Sequence, residues 1–502
     1  MKRVLVANRG EIAVRIIRAC HEEGLEAVAV YSEADRIAPH VKIADAAVEI
    51  GPPAARDSYL DVERILAAAR RTGAEAVHPG YGFLAERAHF AEAVEAAGLV
   101  FIGPPASAIR MMGEKTEARR RMAAAGVPIV PGTTEPLRDA ADAVRAAESV
   151  GYPVLLKAAA GGGGKGMRVA RTAEEVRKGF SQASSEATAA FGDGAVYLER
   201  LVERPRHVEI QVLADRHGRV VHLGERECSV QRRHQKLIEE TPSPAVDAAL
   251  RRQMGEAAVR AAESVGYVSA GTVEFLLDPS GTFYFLEMNT RLQVEHPITE
   301  LVYGLDIVRE QLRIAMGEPL GVASEPMEPR GHAIECRITA EDVFANFLPA
   351  TGRVEYFHAP TGPGVRWDGG IETGGEIGLF YDSLLGKLIV WGENRDRAIR
   401  RMRRALDELI IVGLPTSQPF HRRVMRESEF VAGRYDIGYL DRVGAALLQR
   451  SLSKADVQEI AVAAALAEDE DRAAAVSLAV NGGNGGQQES AWLRAARLAG
   501  LR

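Results

Sequence analysis

The chain opens on an alternation of short β-branched runs and amphipathic stretches. Residues 2–7 form an apolar run that predicts a strand. Residues 11–23 follow with Ile12, Ile16 and Cys20 on one helical face and Gly24 as the stop. A second strand is expected over 25–32. The alternation recurs as a strand at 74–78, a helix at 87–97 and a strand at 99–102, so residues 1–102 read as a doubly wound parallel α/β unit. A mainly helical connector is expected over 103–129, bounded by Pro104-Pro105 and by Gly126 and Pro128.

A second module is expected over 130–202. Its strand at 153–158 runs into Gly161-Gly-Gly-Gly-Lys-Gly166 and a strand at 167–170, which reads as a hairpin with a mobile tip, a flap, rather than a helix N-terminus. From 203 to 446 strand-like runs dominate, at 207–213, 220–223, 271–277, 282–288 and 384–391, making this the largest region. The tail, 447–502, differs in character. It holds an Ala-rich helical stretch at 454–466, a Gly/Asn/Gln linker at 481–488 and a short terminal helix at 490–498, which with its Trp492 reads equally as a segment that docks onto a partner chain or as a fraying terminus.

Composition narrows the class. With 502 residues the chain has room for three or four domains. No apolar run approaches the roughly 18 residues of a membrane span, and no charged-then-apolar leader opens the sequence, so a soluble cytoplasmic protein without membrane contact is expected. A net charge of −7 argues against nucleic acid as partner. Cys20, Cys228 and Cys336 are far apart and form no CxxC pair, which excludes a thiolate zinc site or a disulfide framework.

The chemistry is carried by a few strings. The glycine run lets backbone amides approach phosphate oxygens, with Lys157 and Lys165 adding positive charge, and it matches neither GxGxxG nor GxxxxGK[ST]; a dinucleotide-dependent dehydrogenase, which the opening α/β unit would suit, fails because no GxGxxG follows the first strand. The runs at 271–277 and 282–288, joined through Asp278-Pro-Ser-Gly281, predict a hairpin that sets Glu274 beside Glu287, an oxygen pair suited to Mg²⁺, with Asn289 on the same strand face. Arg291, Gln293 and Glu295 alternate, presenting a cationic fork, an amide and a carboxylate to a small planar anion. Arg232, Arg233, His234 and Lys236 form a basic cluster. Its acidic flanks and lack of aromatics point to a small anionic substrate rather than a polynucleotide.

Taken together the segments resemble the biotin carboxylase family of the ATP-grasp superfamily, nearly without a break from Arg3 to about Leu440. The carrying strings are Ala7-Asn-Arg-Gly-Glu-Ile-Ala, His78-Pro-Gly-Tyr-Gly-Phe-Leu, Lys157-Ala-Ala-Ala-Gly-Gly-Gly-Gly-Lys-Gly-Met, Arg206-His-Val-Glu-Ile-Gln, Cys228-Ser-Val-Gln-Arg-Arg-His-Gln-Lys, Glu287-Met-Asn-Thr-Arg-Leu-Gln-Val-Glu-His and Tyr381-Asp-Ser-Leu-Leu-Gly-Lys. The resemblance implies an N-terminal parallel-sheet domain, an ATP-grasp lid and an ATP-grasp core with a C-terminal, mainly β region. It implies ATP held by Lys115, Lys157, Gly163, Gly164, Glu199, Arg200, Leu201, Val202, His207, Gln231 and His234, with Glu274, Glu287 and Asn289 on a pair of Mg²⁺ or Mn²⁺ ions. Bicarbonate would fall to Lys236, Arg291, Gln293 and the backbone of Val294, its deprotonation to Glu295, and the biotin enolate to Arg337. Departures are small: Lys165 stands where several relatives have Arg, and the adenine strip reads Glu-Arg-Leu-Val instead of Glu-Lys-Tyr-Leu.

No Ala-Met-Lys-Met-like biotinyl lysine occurs, and the chain is too short for an attached carboxyltransferase. Biotin is therefore expected on a biotin carboxyl carrier protein, with carboxyltransferase subunits as further partners. A homodimer is usual in the family, with Arg18 and Glu22 as candidates for that contact. The acceptor stays open between acetyl-CoA, propionyl-CoA, another acyl-CoA and, for a two-subunit enzyme, pyruvate. A different ATP-grasp carboxylate ligase would share the flap and metal pair but not the Arg291-to-Glu295 string or Arg337. A nucleotide-binding regulatory subunit would have lost a metal or base residue, and none is lost.

Overall fold

The computed structural model describes residues 1–133, 135–158, 167–191, 194–322 and 327–449, together with Gln458, Val462 and Ala465. The chain divides into two units, Met1–Leu448 and Gln449–Arg502. In the second, Gln458, Val462 and Ala465 are helical and fall in the stretch expected to be helix at 454–466; the linker and terminal helix lie outside the described residues.

Five short strands form the first sheet: β1 (Arg3–Val6), β2 (Glu26–Ser32), β3 (Ala46–Gly51), β4 (Ala76–His78) and β5 (Val100–Phe101). Their order is β3-β2-β1-β4-β5 and every pairing is parallel, the doubly wound arrangement expected. Strand β3 escaped the sequence pattern because only Val48 and Ile50 of its side chains are buried, too short an alternation to register. The helix Gly10–Glu22 buries Ile12, Ile16 and Cys20 as its periodicity requires. They pack in one core with Leu223, Ile298, Val302 and Ile389, residues distant in sequence.

The connector holds the helices Ala106–Gly113 and Lys115–Ala124. Beyond it, β6 (Val154–Ala158), β7 (Met167–Ala170) and β8 (Val196–Arg200) form an antiparallel sheet in the order β7-β6-β8. Lys157 pairs with Met167, so the expected hairpin exists in its strands. Its glycine tip, including Gly163, Gly164 and Lys165, lies outside the described residues.

The remaining sheet is the frame of the site. It comprises β9 (Arg206–Ala214), β10 (Val220–Arg232), β11 (Gln235–Thr241), β12 (Ser269–Leu277), β13 (Phe283–Asn289) and β14 (His332–Thr339), extended by Leu384–Gly392 and Val365–Gly369. The order is β13-β12-β9-β10-β11-β14 and then those last two strands, antiparallel throughout. Strand β10 runs far past the expected residue 223. Gly224, at φ 62°, sits in a register shift between His222 and Glu225, and this glycine break hid the continuity of the strand.

Strands do not dominate residues 203–446 as fully as expected. Helices Ala248–Glu263, His296–Tyr303, Ile307–Ala315, Arg395–Glu408 and Tyr439–Leu447 lie among them. Arg395–Glu408 buries only Ala398, Ile399, Met402, Ala405 and Leu406, so charged side chains veil its apolar stripe. All three cysteines are buried and unpaired. Among the described residues no helix is long and apolar enough to cross a membrane.

Candidate active site

The site is built on strands β9 to β14 of the large sheet. In β12 and β13 the register sets Glu274 opposite Glu287, the pairing expected from the hairpin, and the Asp278 carboxylate closes the turn by accepting from the Ser280 and Thr282 amides. Glu274 is buried, while Glu287 is exposed. Asn289 is buried, and its Nδ2 donates to Glu274 Oε1 at 2.8 Å.

Lys236, on β11, is the electrostatic centre. Its Nζ lies 2.5 Å from Glu209 Oε2, 2.9 Å from Glu274 Oε1 and 2.7 Å from Glu295 Oε1. Burial alone would favour a neutral amine, but three carboxylates around it hold the ammonium well above the usual lysine range. The reciprocal effect falls on the acids. Burial opposes ionisation of Glu295, yet Lys236, Arg337 and Arg226 outweigh it and keep its carboxyl well below the ordinary carboxylate range. Burial likewise works against Glu274, which Lys236 and His207 hold ionised. His207 Nε2 is 2.9 Å from Glu274 Oε2; burial would lower this imidazole, and Glu274 raises it instead.

Arg337, on β14, donates from Nε to Glu239 Oε1 at 2.6 Å and from Nη2 to Glu295 Oε2 at 3.0 Å. The base candidate Glu295, with no exposed surface, is thus clamped between an ammonium and a guanidinium. Arg291, Gln293 and Glu295 do not alternate along a strand, however. Residues 290–295 leave β13 as an irregular turn, and Pro297 in the first turn of His296–Tyr303 starts the helix there. The side chains converge nonetheless: Arg291 Nη1 donates to Gln293 Oε1 at 2.9 Å, and Gln293 Nε2 reaches Glu274 Oε1 at 3.4 Å.

Other sequence candidates stand around this centre. Gln231 Nε2 is 3.4 Å from His207 Nδ1. His234 occupies the exposed turn between β10 and β11, at φ 65°, and no described hydrogen bond ties it to the acidic cluster. In the smaller antiparallel sheet Lys157 Nζ pairs with Glu199 Oε2 at 2.5 Å, and Arg119 Nη1 holds the other oxygen at 2.5 Å. The neighbouring Arg200 guanidinium bonds the Tyr284 hydroxyl and stands 5.4 Å from its ring centre. Leu201 and Val202 are half-buried at the strand end. Lys115 begins its helix, its side chain outside the described residues.

Several residues that complete the site were missed. Arg226, fully buried on β10, donates to Glu209 at 2.5 Å, to Gln211 at 2.6 Å, and to Thr299 and Thr272 at 3.0 Å each. Glu86 accepts from Arg291 Nε at 2.8 Å across 205 positions of sequence. Glu239 lies behind Arg337. For Glu209 a signal existed: His207, Glu209 and Gln211 alternate on β9, a polar face in a strand that is otherwise apolar. Glu86 carried none.

The donor set suits a hard divalent cation. Glu274, Glu287 and Asn289 offer carboxylate and amide oxygens, and ligand atoms of His207, Glu209 and Glu274 lie within 4.8 Å of one another. Beside them Lys236 and Arg291 supply positive charge for anionic oxygens.

The chain matches the biotin carboxylase N-terminal domain over residues 1–109, the carbamoyl-phosphate synthase L chain ATP-binding domain over 114–323, and the biotin carboxylase C-terminal domain over 335–442. It is 53% identical over 441 residues to a biotin carboxylase of Nostoc sp., spanning 88% of this chain and 99% of that one. It is 52% identical over 460 residues to a pyruvate carboxylase subunit of Methanothermobacter thermautotrophicus, spanning 91% and 94%. Its fold superposes with a TM-score of 0.83 and 48% identity on the biotin carboxylase domain dimer of Hydrogenobacter thermophilus 2-oxoglutarate carboxylase, solved with MgADP, ADP and bicarbonate, over 90% of this chain and 99% of that one. With matched domains in order along most of its length and the ionised Glu295 between Lys236 and Arg337 at its centre, the chain belongs to the biotin carboxylase family of ATP-grasp ligases.

Proposed function

We propose that this chain uses MgATP and bicarbonate to carboxylate biotin carried on a separate biotin carboxyl carrier protein, the first half-reaction of an acyl-CoA carboxylase. The observation that carries the reading is the Glu295 carboxylate, without exposed surface yet held ionised by Lys236 at 2.7 Å and Arg337 at 3.0 Å. A buried anionic base beside cations fits a step in which a small acid loses its proton in a dry site.

In this reading Arg291, Gln293, Lys236 and the Val294 backbone bind bicarbonate, and Glu295 takes its proton. The carbonate oxygen attacks the γ-phosphorus as the bond to ADP breaks, forming carboxyphosphate. Lys115, Lys157 and the flap with Gly163 and Gly164 cover the phosphates, while Glu199, Arg200, Leu201, Val202, Gln231, His207 and His234 line the nucleotide pocket. Glu274, Glu287 and Asn289 would hold Mg²⁺ or Mn²⁺, which when bound offsets charge on the transferring phosphoryl group. Breaking the C–O bond of carboxyphosphate yields CO₂ and phosphate. The phosphate takes the biotin N1 proton, N1 attacks CO₂, and Arg337 offsets the enolate charge.

The acceptor belongs to a separate carboxyltransferase. Relatives named for biotin carboxylase and for pyruvate carboxylase match with 53% and 52% identity, so a pyruvate carboxylase role is the second reading. A homodimer in the cytoplasm is part of the proposal, with exposed Arg18 and Glu22 on the first helix at the contact.

The test is ADP formation by the purified chain with Mg²⁺, with and without bicarbonate and free biotin. Dependence on bicarbonate, stimulation by biotin, and a loss of about 100-fold or more in Glu295→Gln are expected. ADP formation indifferent to both small molecules would make this a different ATP-grasp ligase.

A further inference from the structure

A lysine that the reaction scheme leaves unused lies directly behind the turn bearing the base. Lys387, on the strand Leu384–Gly392, has no exposed surface, yet its Nζ reaches out of its own sheet to two oxygens. It donates to the backbone carbonyl of Val294 at 2.8 Å and lies 3.1 Å from Glu11 Oε1 on the first helix. In register it stands opposite Arg337 on one side and Asp368 on the other. A buried ammonium is expensive to desolvate and is retained where its partners are fixed. Glu11 is a poor candidate for its sole purpose: burial raises that carboxyl, with Lys387 opposing, and Glu11 Oε2 has no hydrogen-bond partner among the described residues.

We propose that Lys387 is a positioning residue for bicarbonate chemistry, holding the Val294 carbonyl so that the peptide joining Val294 to Glu295 keeps the base and the anion-binding backbone aligned. This rests on the assignment of Glu295 as base and of residues 291–294 as the bicarbonate seat. The turn has no strand or helix partner of its own over 290–295, so its shape depends on contacts of this kind. The Val294 carbonyl shares its peptide group with the Glu295 amide. An ammonium fixed on that oxygen therefore fixes the plane from which the Glu295 side chain departs. The Gln293 carbonyl is held separately, by His296 Nδ1 at 2.8 Å, so consecutive peptides of the turn are each anchored by a different buried side chain.

The experiment compares the wild-type chain, Glu11→Gln, and Glu11→Gln combined with Lys387→Met, by steady-state kinetics of ADP formation with bicarbonate and MgATP varied in turn. The combined variant removes the buried cation together with Glu11, the carboxylate it contacts at 3.1 Å, so that carboxylate is not left facing a lost partner. Glu11→Gln keeps the Lys387 contact to Val294, and its KM for bicarbonate stays within about threefold of wild type. Adding Lys387→Met raises the bicarbonate KM about tenfold or more while the MgATP KM moves less than twofold, a split that general loosening of the fold would not produce. A combined variant with a wild-type bicarbonate KM, or one in which both KM values rise together, overturns the positioning role and leaves the reaction scheme intact. Wild-type ADP formation that needs no bicarbonate removes the reaction scheme and this role with it.

Discussion

Each ionisable residue of the site is defined by its neighbours more than by its own chemistry. Glu295, Glu239 and Glu335 are all buried glutamates, yet their carboxyls are pulled apart. Glu295 stays ionised between Lys236 and Arg337, whereas burial carries Glu335 well above the usual range against the pull of Lys387. Burial raises Glu239 from 4.5 to about 7, with Arg337 opposing. A folded-state value above the unfolded one means that, from pH 4.5 to about 7, the folded protein keeps a proton the unfolded chain has released. The associated stability is therefore complete below that window and is lost as the pH rises through it. Glu239→Gln abolishes the titration, so its unfolding midpoint should fall less steeply than that of wild type between about pH 5 and 7.5, read by denaturant melts at several pH values. An equal slope in both proteins would mean that Glu239 does not hold its proton in the folded state.

At the level of elements, the site depends on β10 bending without ending. Gly224 permits this twice over. Its φ of 62° is left-handed, and a Cβ there would collide with the buried Tyr303 hydroxyl. The bulge sets the register beyond it, through which Arg226 faces Glu209 and Gln211. Gly224→Ala should lower stability by about 2 kcal/mol or more, through strain plus overpacking. Gly218→Ala is the control: its φ is 88° but nothing lies within 4 Å of the added carbon, so only the backbone strain, about 1 kcal/mol, is expected. Equal losses in the two variants would show that the Tyr303 contact relaxes freely.

Within Met1–Leu448, ion pairs tie the first helix to the large sheet. Glu300 accepts from Arg15 at 2.8 Å, from Arg366 at 2.7 Å and from the Ile307 amide at 2.8 Å, joining the first helix, the helix after the base turn and the last strand of the large sheet. Neutralising it leaves Arg15 with Asp306 at 2.6 Å and Arg366 with Asp368 at 2.7 Å, so the loss is partial. Glu300→Gln should cost about 1–3 kcal/mol, measured by chemical unfolding, with Trp367 and Trp391 fluorescence and circular dichroism shifting together. A shift in fluorescence alone would mean that the pairs stabilise only the C-terminal strands.

Which features follow from the sequence and which from the fold depends on the range of each interaction. The parallel alternation of residues 1–102, the hairpin strands flanking the glycine run and the opposition of Glu274 to Glu287 are consequences of local periodicity and turn chemistry, and the sequence determined them by itself. The family strings likewise contain Lys236, Arg291 and Glu295, and the resemblance they carry points to Arg337. What only the tertiary structure decided are the partners supplied from afar: Arg226 and Glu209 under Lys236, Glu86 on Arg291, Glu239 on Arg337 and Lys387 on the Val294 carbonyl. The alternation of Arg291, Gln293 and Glu295 predicted convergence for a reason that does not hold, since these residues occupy a turn and not a strand. They meet because buried charges from other elements, with too little water to solvate them separately, draw the turn into shape.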